Sequence, residues 1–172
     1  MPGTLYRFLA EDHARLDGLL QGSMTETGTI NRAAYAEFRT GLLTHISMEE
    51  KILLPAVQRM RGGAPLAKAA KLRLDHGALA ALLVPTPTPA IIAALHTILG
   101  AHNMIEEGRG GVYECCEQLV GPEAEALLAQ LHAAPKVPVA PYSDGHDVMD
   151  VVRRALVRAG YDDALLDERH AD

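Results

Sequence analysis

The chain has 172 residues, which suits one domain with an appendage, and 48% of them are hydrophobic, enough to bury a sizeable core. A formal net charge of -6, with Lys and Arg scattered, lacks the basic clusters of a nucleic-acid surface, and no apolar run approaches the ~20 residues needed to span a bilayer. Two adjacent cysteines, Cys115 and Cys116, make no disulfide framework, and "MPGTLYRFLAEDHARLD" has neither the basic start nor the apolar centre of a signal peptide, so a cytoplasmic protein is expected.

Helical periodicity marks four long segments. The first runs from about residue 4 to 21 on Leu5, Leu9, Leu16 and Leu20, with His13 filling the gap in that stripe. "GSMTETGTIN" ends it, and Asn31 is placed to cap the second, which runs to about residue 60 on Tyr35, Phe38, Leu42, His45, Glu49, Ile52 and Ala56. Pro55 predicts a kink there or an interrupted hydrogen-bond ladder. After "RGGAP" the third covers about 65–84 on Ala69, Leu72, His76, Leu79 and Leu83. After "PTPTP" the fourth covers about 89–119 on Ile92, Leu95, Leu99, His102, Glu106, Tyr113 and Cys116, with Gly108, Gly110 and Gly111 predicting a bend.

A shorter helix follows over about 122–133, then a Pro-rich extended segment. A last helix over about 144–159, capped by Ser143 or Asp144, presents Val148, Val151, Val152, Ala155 and Leu156. The expected class is all-α, an antiparallel up-down four-helix bundle with a C-terminal helical extension. Residues 1–134 form the bundle and its short fifth helix, 135–142 a linker, and 143–172 the last helix and tail. The apolar face of that last helix must pack on the bundle, on a second copy as a homodimer, or on a protein partner.

Each bundle helix carries one histidine on its core stripe: His13, His45, His76 and His102. Two helices add a carboxylate one turn later, Glu49 in "HISMEE" and Glu106 in "HNMIEE". At about 100° per residue, positions four apart differ by about 40°, so each pair points the same way. Buried charges without partners cost several kcal/mol each, and a metal centre removes that cost. Two histidines and one oxygen from each bridging glutamate give each of two metals four protein ligands. A bridging oxo or hydroxo group makes five, and a six-coordinate ion keeps one position for oxygen, nitric oxide, peroxide or water. Mixed imidazole and carboxylate donors suit iron or manganese, with zinc also admitted.

At "EDHARLD", "HISMEEKILLP", "LDHGAL" and "HNMIEE" the chain resembles the hemerythrin-like family of HHE cation-binding domains, over about residues 4–120. The resemblance implies a four-helix bundle with a non-haem di-iron centre: two iron ions bridged by carboxylates and an oxo or hydroxo group. It implies binding or sensing of oxygen, nitric oxide, peroxide or iron, rather than turnover. His13 and His45 are expected on one iron, His76 and His102 on the other, and Glu49 and Glu106 between them. Oxygen-carrying hemerythrins place two histidines four apart on the third helix, where this chain has Leu72 and Ala80 beside His76. A four-histidine, two-glutamate set is similar to the branch that repairs iron–sulfur clusters. Alternative readings are a redox enzyme reducing nitric oxide or peroxide, a cluster repair factor, and an interaction module with a structural metal.

Of the remaining groups, Glu50 and Glu107 lie about 100° from the expected ligands and read as solvated flank, the sharper alternative being a carboxylate that reaches one metal or accepts from an imidazole N–H. Asp17 and Asp75 are similar candidates as imidazole partners but are expected to be exposed, Tyr113 fills core or hydrogen-bonds near the centre, with core filling preferred, and Met48 and Met104 read as packing. Cys116 reads as a small buried hydrophobe and Cys115 as turned away. His96, His132, His146 and His170 receive no metal role. No H-E-x-x-H, Walker or G-x-S-x-G pattern occurs.

Overall fold

The computed structural model describes residues 3–167; the end of the predicted tail, with His170, lies outside them. The described residues form helices joined by turns and extended segments, with no strand among them beyond an isolated bridge between Met24 and Ile30. Helix α1 is Thr4–Gly22. Helix α2, Arg32–Met48, starts where the Asn31 side chain accepts a hydrogen bond from the Ala34 N–H at 3.2 Å. It continues into a π-helical turn, Glu49–Leu53, and then α3, Leu54–Met60. Pro55 explains the turn: it has no N–H to close the ordinary ladder, and the Leu54 N–H reaches back five residues to the Glu49 carbonyl.

Helix α4 is Ala69–Leu82, starting later than the spacing predicts because residues 66–69 form a turn closed by the Ala69 N–H on the Leu66 carbonyl. Helix α5, Pro89–Glu107, opens with proline in its first turn and the Thr88 hydroxyl accepting from the Ile91 N–H. The predicted bend after Glu106 is a full break. Gly110 takes a left-handed φ of +68°, and a Cβ on Gly111 would collide with the Glu106 and Gly108 carbonyls. Helix α6, Val112–Val120, restarts beyond it. A 3-10 turn leads to α7, Ala124–His132.

Helix α8, Val148–Ala159, ends at Gly160 with φ +89°. It starts later than predicted. The Asp144 carboxylate does not cap it but accepts from the Thr86 N–H at 2.8 Å and hydroxyl at 2.6 Å. Its buried face is Val152, Leu156 and Ala159, packed against α4, whereas Val151 is half exposed. The Pro-rich segment before it lies along the helices. The Val137 N–H donates to the Thr44 hydroxyl, Arg39 donates to the Leu83 and Ala140 carbonyls, and the Arg39 guanidinium sits 4.1 Å from the Tyr142 ring centre. None of the described helices is long and apolar enough to cross a membrane.

The apolar core forms two clusters. One holds Leu16, Leu20, Phe38, Leu42, Leu79, Leu95, Ile98 and the buried face of α8. The other holds Leu5, Leu9, Leu53, Val57, Leu72, Tyr113, Cys116 and Leu131. On α1 and α4 the histidine lies between the second cluster and the first; on α2 and α5 the order is reversed. The histidines and their glutamates therefore form a polar layer between two apolar ones.

If α8 is part of this core, Leu156→Ala removes a fully buried side chain and should cost about 2–5 kcal/mol in urea unfolding. A loss below about 0.5 kcal/mol, the range of surface substitutions, would show that α8 contributes nothing to folding.

A buried layer of imidazoles and carboxylates

His13, His45, Glu49, His76, His102 and Glu106 are all buried and converge on one point of the interior. Their ligand atoms form two groups, each within 4.8 Å: His13, His45, Glu49 and Glu106, and then His76, His102 and the same two glutamates. The π-helical turn begins at Glu49 and so sets where this carboxylate enters the layer. Its Oε1 lies 3.5 Å from His45 Nε2 and its Oε2 3.1 Å from His76 Nε2, so it spans both groups. Glu106 Oε2 lies 3.4 Å from His13 Nε2 and 3.2 Å from His102 Nε2.

Each imidazole turns its other nitrogen to a carboxylate from a different helix. His45 Nδ1 meets Asp12 at 2.8 Å, His76 Nδ1 meets Glu50 at 2.8 Å, and His13 Nδ1 meets Glu107 at 2.6 Å. His102 Nδ1 faces Asp75 at a longer 3.4 Å. A carboxylate only accepts, so each contact assigns the imidazole proton to Nδ1 and leaves the Nε2 lone pair facing inward. Glu50 and Glu107 are therefore not solvated flank, and Asp75 is fully buried rather than exposed. Asp17 and His96 do stay at the surface, 3.9 Å apart.

Sequence reasoning missed Asp12, which stands immediately before His13. A signal was present: all four outer carboxylates are chain neighbours of an expected ligand, in "DH" twice and "EE" twice. Tyr113 was also misjudged. Its ring fills the core, but its hydroxyl lies among the ligand atoms, 2.6 Å from Glu49 Oε1, 3.1 Å from His13 Nε2, and 3.2 Å from both His45 Nε2 and Glu106 Oε2. Met48 is buried as packing requires, but Met104 is exposed. Burial, then the Glu49 charge, pushes the Cys116 thiol up to about 12, which keeps it protonated.

The inward-facing atoms are almost all acceptors. His76 Nε2 and His102 Nε2 sit 3.2 Å apart, two lone pairs facing each other once both Nδ1 atoms carry the proton. Among the described residues, Glu49 Oε2 and Glu106 Oε1 accept no well-oriented hydrogen bond, although His76 Nε2 is close to the first. Such a cavity requires positive charge, as metal cations or as protons. Two buried His/Glu groups with these distances could hold metal ions.

Without cations, protons take that role. Burial disfavours charge on His45, but Glu49 and Asp12 outweigh it and raise its pKa to about 10. Burial also opposes charge on His102, and Asp75 and Glu106 raise it to about 10. Burial works against the Glu49 charge, yet His45 and His76 hold its pKa well below the usual range; burial and repulsion from Glu49 push Glu106 up.

Comparison with protein-family models, with curated proteins and with solved structures finds no match.

The raised histidines fix the pH response of the metal-free chain. A histidine with pKa 6.5 unfolded and about 10 folded stabilises fully below pH 6.5, and that contribution disappears as pH rises through 10. Chelator-treated protein should therefore lose melting temperature steadily between about pH 6.5 and pH 10. A melting temperature that rises over that window would contradict protonated, ion-paired imidazoles.

Proposed function

We propose that this chain is a hemerythrin-like protein, an antiparallel up-down four-helix bundle that holds a non-haem dinuclear metal centre, preferentially of iron. It binds or senses a small ligand such as oxygen, nitric oxide or peroxide there. The observation that carries this reading is the acceptor-rich cavity. Four inward Nε2 atoms, with the Nδ1 protons held by Asp12, Glu50, Asp75 and Glu107, converge with two carboxylates in two overlapping groups. The alternating order in which α1, α2, α4 and α5 pass between the two apolar clusters supports the up-down arrangement.

His13 and His45 hold one cation, His76 and His102 the other, and Glu49 and Glu106 contribute to both. The donor set of imidazole and carboxylate suits iron, with manganese or zinc as chemically related occupants. Bound together, two redox-active ions supply electrons and open coordination positions for a diatomic or peroxide ligand. The chain supplies the rest. The outer carboxylates fix the tautomer and ring orientation of each imidazole and raise its basicity. The leucine-rich layers above and below exclude water, which strengthens every charge interaction in the layer.

Metal analysis of protein purified without chelators tests the assignment. The wild type should carry two ions per chain. Glu49→Gln and Glu106→Gln should lose both, because each glutamate belongs to both groups; His45→Ala and His102→Ala should each lose one. Asp12→Asn and Glu50→Gln should keep the fold and weaken affinity by about 10–100-fold. Unchanged metal content across the set would overturn the reading.

A further inference from the structure

Tyr113 is the one hydroxyl in the acceptor cavity, and its position divides the two proposed cation sites. Its oxygen lies within 2.6–3.2 Å of one donor atom from each member of the first group: Glu49, His13, His45 and Glu106. No hydrogen bond joins it to His76 or His102 among the described residues. A phenol has one proton to donate, and the 2.6 Å separation assigns it to Glu49 Oε1. That leaves the phenol oxygen facing the lone pairs of two imidazole nitrogens and of a second carboxylate oxygen. Five electron-rich atoms in mutual contact, in a side-chain environment without exposure to water, match the donor shell of one ion better than a hydrogen-bond network.

The local fold is built to place this oxygen. In an unbroken helix Tyr113 would stand seven residues, or about 10 Å, further along the axis than Glu106. The Gly108–Gly111 break ends α5 one residue after the ligand pair and starts α6 afresh, and Tyr113 is the second residue of the new helix. The ring is fully buried, held edge-on by Tyr6 with centroids 6.0 Å apart, and the Tyr6 hydroxyl donates to the Glu107 carbonyl at 2.8 Å.

Resting on the dinuclear reading above, we propose that Tyr113 is a fifth protein ligand, bound as phenolate, of the ion held by His13, His45, Glu49 and Glu106. The two metal positions are then chemically unequal. On loading, the phenol O–H bond breaks, the proton leaves to the buffer, and the oxygen lone pair binds the cation. A hard anionic donor favours the higher charge state, so this position holds the ferric ion more tightly than the position at His76 and His102.

The test uses full-length protein loaded with ferrous iron and oxidised with ferricyanide. Ferric phenolate absorbs visible light by charge transfer, and excitation into that band enhances tyrosine ring vibrations in the Raman spectrum. The wild type should show both, and growth on ring-deuterated tyrosine should shift the vibrations, a readout that needs no variant. Tyr113→Phe should lose the band and the vibrations; Tyr35→Phe, which removes a buried phenol outside the layer, should keep them. Iron-loaded wild type without tyrosine vibrations, or a band that persists in Tyr113→Phe, would overturn phenolate ligation while leaving the dinuclear centre standing. Wild type that takes up no iron would overturn both.

Discussion

The structure depends on one electrostatic constraint: a dry layer crossed by acceptors that have nowhere to find protons except from one another. Burial of unsatisfied polar groups costs kcal/mol apiece, and six inward groups would destabilise a domain whose whole stability is of order 5–15 kcal/mol. The chain meets this with positive charge at the centre. Any cation held there would compete with protons for the same lone pairs and so couple folding, metal binding and pH in one equilibrium. The apolar layers on either side make the coupling strong, since they remove the water that would otherwise solvate each charge.

The outer carboxylates show how such a layer is held in register by four separate helices. Asp12 on α1 serves His45 on α2; Glu50, in the turn after α2, serves His76 on α4; Asp75 on α4 serves His102 on α5; Glu107 on α5 serves His13 on α1. The contacts close a ring. Each helix presents a histidine to the centre, joined on the α2 and α5 segments by a glutamate, and a chain neighbour of one inward group, about 100° away, to an adjacent helix. "DH" on α1 and α4 alternates with H-x3-E-E on α2 and α5, so the sequence repeats as two helix pairs. The ring reaches the outside at Asp75, where Lys71 binds the carboxylate at 2.6 Å and the Ala159 carbonyl at the end of α8 at 2.7 Å. The C-terminal helix thus touches the imidazole layer through one lysine and one aspartate.

The six inward groups were legible in the sequence because they obey the helix period on their own stripes. Nothing beyond the 3.6-residue repeat was needed to point His45 and Glu49, or His102 and Glu106, the same way. The outer carboxylates were legible only as candidates at Glu50, Glu107 and Asp75, and not at all at Asp12. Their role is fixed by the azimuth of the neighbouring helix, which no single helix encodes; alone, Glu50 looks like any charge beside a stripe. Asp75 was expected at the surface for the same reason, since α8, which packs on α4, lies far away in sequence. The reading of the glycines as a bend rather than a full break favoured core filling for Tyr113 over a place near the centre, because a side chain's reach depends on the axis it hangs from.

Those glycines and Pro55 are the two places where regular helix gives way, and both sit against the polar layer. At Pro55 the missing N–H widens the preceding turn, and the wide turn holds Glu49 and Glu50, an inward and an outer carboxylate. At Gly108–Gly111 the break follows directly on Glu106 and Glu107, the equivalent pair. The two H-x3-E-E segments are alike in sequence but are followed by different irregularities, a wide turn in one and a stop in the other. Only the stop admits a new helix, and with it a tyrosine, at one side of the centre. A near-symmetric ring of imidazoles and carboxylates acquires two unlike halves from a difference that lies outside those groups themselves, in which backbone can and cannot continue after them.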